Sequence, residues 1–334
     1  MAIRRWTCSA LIVLGAILLA VNAQLNAWAW ARDGLVRAGS SAAPTAWFTM
    51  PRDSDSLLAA GSDPRLRVTV DGDLATAKHI AVLVPGVDTN LAQFDQALGA
   101  GGEWAPASGS AQVAVSIPEP VPVPASDGAA GASASGGAAV WWRTMPGWAR
   151  SLRLAAAEST SAGSAGVSGI AGAADVAVVA WLGYAPPTVW AGATADAMRQ
   201  GASNLVAFDQ FLRSARPDAD VTWICHSYGS LVCASALVSA DPEALILLGS
   251  PGVGVDQVAQ LATDAPVWAG QTGQDLIWLT RLTGAFGGAF GELPSSDAFG
   301  ARLLPGDSAD GHSDYFRPGS SQVAAMASII LGHR

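Results

Sequence analysis

Ser227 lies in Cys225-His226-Ser227-Tyr228-Gly229, one residue away from the pattern G-x-S-x-G, with Cys225 in the first glycine position. A serine set on a sharp strand-to-helix turn exposes its Oγ as a nucleophile. Small residues two before and two after let helix and strand pass closely. Gly229 meets that need, and Cys225 is still small. A serine nucleophile needs a base, and the chain has four histidines. His79 opens a strand at the wrong end of a sheet. His226 adjoins the serine, and the turn directs its side chain away. His333 is penultimate. His312, in Gly311-His312-Ser313-Asp314-Tyr315-Phe316, remains as the base. The imidazole in turn needs a carboxylate to hold its tautomer. Asp275 follows a strand by a short Gly/Gln loop and precedes His312, so it is the expected acid, with Asp256 as runner-up. Two N–H donors must bind the oxyanion. The backbone of Tyr228 supplies one, and the turn Pro85-Gly86-Val87-Asp88 supplies the other, with Val87 preferred to Gly86.

These residues must be carried to one edge of a sheet. The apolar runs His79 to Val84, Asp175 to Leu182, Val221 to Cys225, Ala244 to Leu248 and the weaker Val267 to Ala269 read as strands. Several stop at Gly or Pro, and helical patterns over Thr194–Ala215 and Ser230–Ser239 lie between them. Continuous apolar strands alternating with helices predict a parallel sheet covered on both faces. Arg65 to Val70 alternates as a half-buried strand should. Ile117 to Pro124 is a proline ladder, and Ala125–Ala139 and Ser159–Gly172 are Gly/Ala/Ser low complexity, read as solvated insertions. Trp141, Trp142 and Trp148 suggest a short docked segment between them.

The chain of 334 residues has 18 Lys+Arg against 27 Asp+Glu and a net charge of −9. That balance speaks against a nucleic-acid partner, which needs a basic face. Half the residues are apolar, so a folded core is expected. Arg4 and Arg5 precede an apolar run from Cys8 to Val21, followed by Asn22, Gln24 and Asn26. This reads as a cleaved signal peptide or an uncleaved membrane anchor; either exports the rest. The expected organisation is an export segment over 1–30, a linker over 31–60 and one catalytic domain over 61–334, with insertions at about 117–139 and 159–172. Cys8 precedes the apolar run and is not read as lipidated. Cys225 and Cys233 are an even pair in an oxidising compartment, either bridged or two buried thiols in a tight helix–strand contact. No metal cluster, phosphate loop or nucleotide fingerprint is seen, so neither a cofactor nor a metal is expected.

Five motifs in order resemble an actinobacterial α/β-hydrolase family of unknown function. They are Ala75 through Gly86, Val179 through Pro186 (VAWLGYAP), His226 through Ser230 (HSYGS), Gly249 through Gly252 (GSPG) and Gly311-His312. The resemblance runs from about Arg65 to Phe316, apart from the insertions, and implies an α/β-hydrolase fold with a Ser-Asp-His triad. It implies no substrate. Trp181 and Tyr184 would line the pocket, since ligands sit beyond the strand carboxyl ends, or else would be core. Loops carrying Trp278, Phe286, Phe290 and Phe299 favour a small-molecule or lipid ester as substrate. An amidase or peptidase would use the same triad, and a silent envelope-binding module would keep only the fold. The N-terminal segment would associate such a protein with the membrane or envelope. The oligomeric state is not legible.

Overall fold

The structure is a computed structural model that describes residues 57–58, 66–87, 89, 94, 141–162, 175–187, 195–278, 290–306 and 310–333. The export segment, the proline ladder and the Ala125–Ala139 stretch lie outside the described residues. Eight strands form one sheet: β1 (Leu57–Leu58), β2 (Arg67–Asp71), β3 (His79–Val84), β4 (Val176–Leu182), β5 (Asp220–His226), β6 (Ala244–Leu248), β7 (Val267–Gly270) and β8 (Arg302–Leu303). Their order is β1-β2-β4-β3-β5-β6-β7-β8. β2 runs antiparallel to β1 and β4, and all pairs from β4 to β8 are parallel. The five apolar runs become β3 to β7 because both faces of the sheet are covered. Period-2 alternation is therefore absent, and β4 is buried along its whole length. The Arg65–Val70 pattern forms β2, shifted to Arg67–Asp71. Its middle three residues are all buried, contrary to the half-exposed strand expected, since Thr69 is covered as well as its apolar neighbours.

Four helices cover the sheet among the described residues: α1 (Met145–Ala162), α2 (Ala195–Ala215), α3 (Gly229–Ala236) and α4 (Ser321–Ile330). The pleat of β3 divides its side chains between them. Ile80, Val82 and Val84 join the core beneath α2 and α3, with Phe208 and Trp223. Ala81 and Leu83 join the opposite core beneath α1 and α4, with Leu152, Met326 and Ile330. Each fully buried Leu, Ile or Phe stabilises by roughly 1.5–3 kcal/mol, so both helical layers are held by apolar area.

Helix α1 corrects the expectation of a short docked segment. A 3-10 turn, Trp141–Arg143, leads into 18 helical residues. Ser159, the expected start of a low-complexity loop, lies within α1, which runs on to Ala162. The start signal was present: Thr144 accepts the Gly147 N–H at 3.2 Å, and Pro146 sits in the first turn. The apolar stripe was masked by small residues, because Ala149, Ser151 and Ala156 are buried beside Trp148 and Leu152. Among the described residues, no helix is long and apolar enough to cross a membrane.

Cys225 and Cys233 are joined by a disulfide, with Cα atoms 6.5 Å apart. It ties the end of β5 to the second turn of α3, across the turn that carries Ser227. Closing so short a loop stabilises by about 2–3 kcal/mol on loop-entropy grounds.

Candidate active site

In-register pairing puts the carboxyl ends of β3, β5, β6 and β7 side by side, with Val84 opposite Cys225, His226 opposite Leu248, and Leu248 opposite Gly270. The segments that follow these strands share one edge. Ser227 begins the turn from β5 to α3 with φ of 53°, the one positive value of a non-glycine among the described residues. Such a conformation costs about 1–3 kcal/mol and persists only where its surroundings enforce it. They do so here. The Ser227 N–H donates to Leu248 O at 2.8 Å, and a Cβ on Gly229 would lie 2.5 Å from Val84 O and 2.6 Å from Pro85 O. The turn after β3 closes on the serine from the other side, where a Cβ on Gly86 would stand 2.6 Å from Ser227 Cβ.

Asp275 ends the segment after β7 and is 1% exposed. Its Oδ2 accepts from His312 Nδ1 at 2.9 Å and from the Tyr315 hydroxyl, and its Oδ1 accepts from the Ile277 N–H at 2.9 Å. Burial pushes the carboxyl up. Its hydrogen bond and attraction to His312, then the bonds from Tyr315 and Ile277, more than offset this and hold it below the ordinary value. The loop bearing His312 is tied down on both sides. Thr272 Oγ1 donates to Gly311 O, Gln274 N to Asp310 O, and Arg317 pairs with Asp310. Arg143, just ahead of α1, pairs with Asp314 at 2.7 Å. Among the described residues, no hydrogen bond joins Ser227 Oγ to His312 Nε2. In ligand-free sites such bonds are often long and tighten only with substrate.

These are the features of a nucleophile elbow: a strained serine between strand and helix, with acid and histidine following in the order Ser…Asp…His. Residues 141–283 match a protein-family model described as alpha/beta hydrolase, a span that includes Ser227 and Asp275 and ends before His312. The fold is that of the α/β-hydrolase superfamily. No curated protein matches the chain. Among solved structures the chain is similar to XC6422 from Xanthomonas campestris, described as an α/β serine hydrolase without lid, at 14% identity and a TM-score of 0.43, covering 84% of this chain and 94% of that one. It is also similar to esterase PE8, at 13% identity and a TM-score of 0.40, covering 80% and 99%. An α/β serine hydrolase homologue from Coxiella burnetii matches at 11% identity and a TM-score of 0.40, covering 86% and 99%.

The hydrolase fold places several expected residues elsewhere. Trp181 and Tyr184 do not line a pocket; both are fully buried in the core beneath α2 and α3. The pleat of β4 turns Trp181 inward against Tyr184 and Phe208, with ring centroids 6.2 and 6.3 Å away. Phe290 and Phe299 are likewise core rather than lining. Trp278 has its backbone in a 3-10 turn and Phe286 lies outside the described residues. Asp256 is exposed, in a turn where its N–H donates to Gln260 Oε1. Val87 sits half-buried next to Gly86, and Tyr228 is buried.

Three residues escaped the sequence reading. Tyr315 gives Asp275 Oδ2 a second donor, and lies three residues past His312 in the same loop. Gly249 has φ of 51°, and a Cβ there would meet Asp275 Oδ2 at 2.7 Å, the Tyr315 hydroxyl at 2.9 Å and His312 Cε1 at 3.0 Å. The first Gly of GSPG therefore gives the acid and the imidazole their room. His226 is the third. Its Nε2–H donates to the His312 carbonyl at 2.8 Å, and the two rings stand 4.6 Å apart. Trp148 closes the other side of His226, edge-on at 5.3 Å.

Burial, then the neighbouring His312, pushes the His226 pKa down to about 3, against the pull of its own hydrogen bond and of Asp275. The unfolded chain binds this proton near the ordinary value of about 6.5. Stability from this group is thus full above that pH and falls as pH drops toward 3, by up to about 1.4 kcal/mol per unit. Urea midpoints at pH 7.5 and pH 5 are expected to fall further in the wild type than in His226→Gln. Equal falls would show that His226 is not buried neutral.

Proposed function

We propose that this chain is an exported serine hydrolase acting on carboxylic esters. Ser227 Oγ attacks the carbonyl carbon, and His312 Nε2 takes its proton. The Asp275 carboxylate keeps the Nδ1 proton of His312 in place and stabilises the imidazolium. The N–H groups of Tyr228 and Val87 receive the oxyanion. As the tetrahedral intermediate collapses, the imidazolium returns the proton to the leaving alkoxide. Water, deprotonated by His312, then frees the acyl group and restores Ser227. The observation that carries this reading is the His312–Asp275 hydrogen bond on the same sheet edge as a serine held at positive φ.

The preference for esters over amides rests on exposed Leu276, which follows Asp275 and offers an apolar rim. Export is supported by the apolar N-terminal run and by the Cys225–Cys233 bond, since such bonds persist in oxidising compartments. One experiment addresses export and the nucleophile together. A fluorophosphonate probe applied to fractionated cells expressing the full chain should label it outside the cytoplasm, and the label should vanish in Ser227→Ala. Labelling confined to the cytoplasm overturns export, and no labelling at all overturns the nucleophile.

A further inference from the structure

Tyr184 is fully buried, but its ring does not end in apolar packing. Its hydroxyl donates to the Pro85 carbonyl at 2.6 Å. Pro85 C=O and the Gly86 N–H belong to one planar peptide unit. A bond to that oxygen therefore fixes the rotation of the plane from which the chain enters Gly86 and Val87. Gly86 already stands against Ser227. The same side chain reaches the other half of the site, because its ring stacks on Tyr228 with centroids 6.3 Å apart. The Tyr228 hydroxyl is in turn hydrogen-bonded to the backbone of Met198 in α2. Tyr184 is itself seated from behind. Asn204 Nδ2 donates to Gly183 O at 2.6 Å, and Gly201 brings α2 so close that a Cβ there would lie 3.1 Å from Tyr184 Cγ. One rigid phenol thus bridges the two backbone segments that carry the oxyanion donors.

We infer that Tyr184 is a positioning residue that sets the geometry of the oxyanion hole through the Pro85 carbonyl and the Tyr228 ring. The inference rests on the serine-hydrolase reading above. A core ring needs no hydroxyl, and phenylalanine would fill the same space, so the hydroxyl marks the task. Burial, then Tyr228, hold the phenol well above its usual range, so it remains a donor at any pH the enzyme meets. Donors misplaced by a fraction of an ångström lose most where charge develops, in the transition state. Substrate binding is barely touched.

The test compares wild type and Tyr184→Phe on a chromogenic short-chain ester and on a trifluoromethyl ketone, whose hemiketal adduct with Ser227 Oγ places an oxyanion in the hole. The expected result is a kcat lowered roughly 10- to 100-fold with KM within about threefold, and ketone affinity falling in parallel with kcat. Phe208→Leu, a core change that leaves the Tyr184 hydroxyl and its bond to Pro85 O in place, should lower Tm and leave kcat within about threefold. Unchanged kcat and ketone affinity in a folded Tyr184→Phe variant overturn the inference while leaving the nucleophile standing. A wild type inert to ester and to fluorophosphonate overturns the underlying reading and this inference with it. Should Tyr184→Phe not fold, Asn204→Ala, which frees the Gly183 carbonyl seating Tyr184, takes its place. A fall in kcat of several-fold at constant KM is expected there, and an unchanged kcat overturns the inference.

Discussion

Ser227→Ala is expected to abolish ester hydrolysis, lowering kcat by on the order of 10⁶-fold. Alanine removes the atom that forms the acyl-enzyme. What remains is substrate binding and the oxyanion donors, which leave a residual rate above the uncatalysed reaction. The fold should survive. Ser227 is held by its N–H to Leu248 O and by the glycines on either side, and its Oγ contributes no hydrogen bond among the described residues. Alanine also tolerates positive φ no worse than serine does, so Tm should stay within a few degrees. Steady-state kinetics and a thermal melt on the same preparation check both halves. Turnover within tenfold of wild type would mean that another group is the nucleophile.

Asp275→Asn is expected to lower kcat by roughly 10⁴-fold while the protein stays folded. The carboxylate accepts at both oxygens: Oδ1 from the Ile277 N–H, and Oδ2 from His312 and Tyr315. An amide has one acceptor oxygen. Keeping the Ile277 bond turns the NH₂ toward His312 Nδ1, which forces the proton onto Nε2, where it can no longer accept from Ser227. The flipped amide aims its NH₂ at the Ile277 N–H instead. Either orientation loses a bond, and the first disables the base. Asp256→Asn is the comparison. Asp256 is exposed in a turn after β6, and its loss should leave kcat within about threefold. Rates for both variants on one ester decide the matter; a dead Asp256 variant beside an active Asp275 variant would reverse the assignment.

Some of this architecture is written in local sequence. His79–Val84 and Ala244–Leu248 are apolar runs with stops, and they form β3 and β6 over those same residues. Short buried strands need only apolar composition and a breaker, both readable from neighbours in the chain. The elbow is legible for a related reason. A serine at positive φ between strand and helix demands a small residue two positions later, and Gly229 supplies it. His312 could be reached by elimination because the histidines are so few, and Asp275 by its place after a strand.

Other features depended on which faces meet. Composition could not tell whether Trp181 and Tyr184 face a ligand or the core, since that turns on the pleat of β4 and on α2 lying over it. Helix α1 was hidden because its buried face is built partly of Ala and Ser, whose burial is visible only once β4 is beneath them. The disulfide required two cysteines eight residues apart to face each other across the elbow. His226, Gly249 and Tyr315 belong to three separate segments and converge on the His312–Asp275 pair only in space. Sequence alone determined the strands, the turn and the reactive residue types, because backbone sterics and hydrophobic periodicity act between near neighbours. Tertiary structure decided which side chains surround the reactive ones, because that depends on strand order and helix docking between residues far apart in the chain.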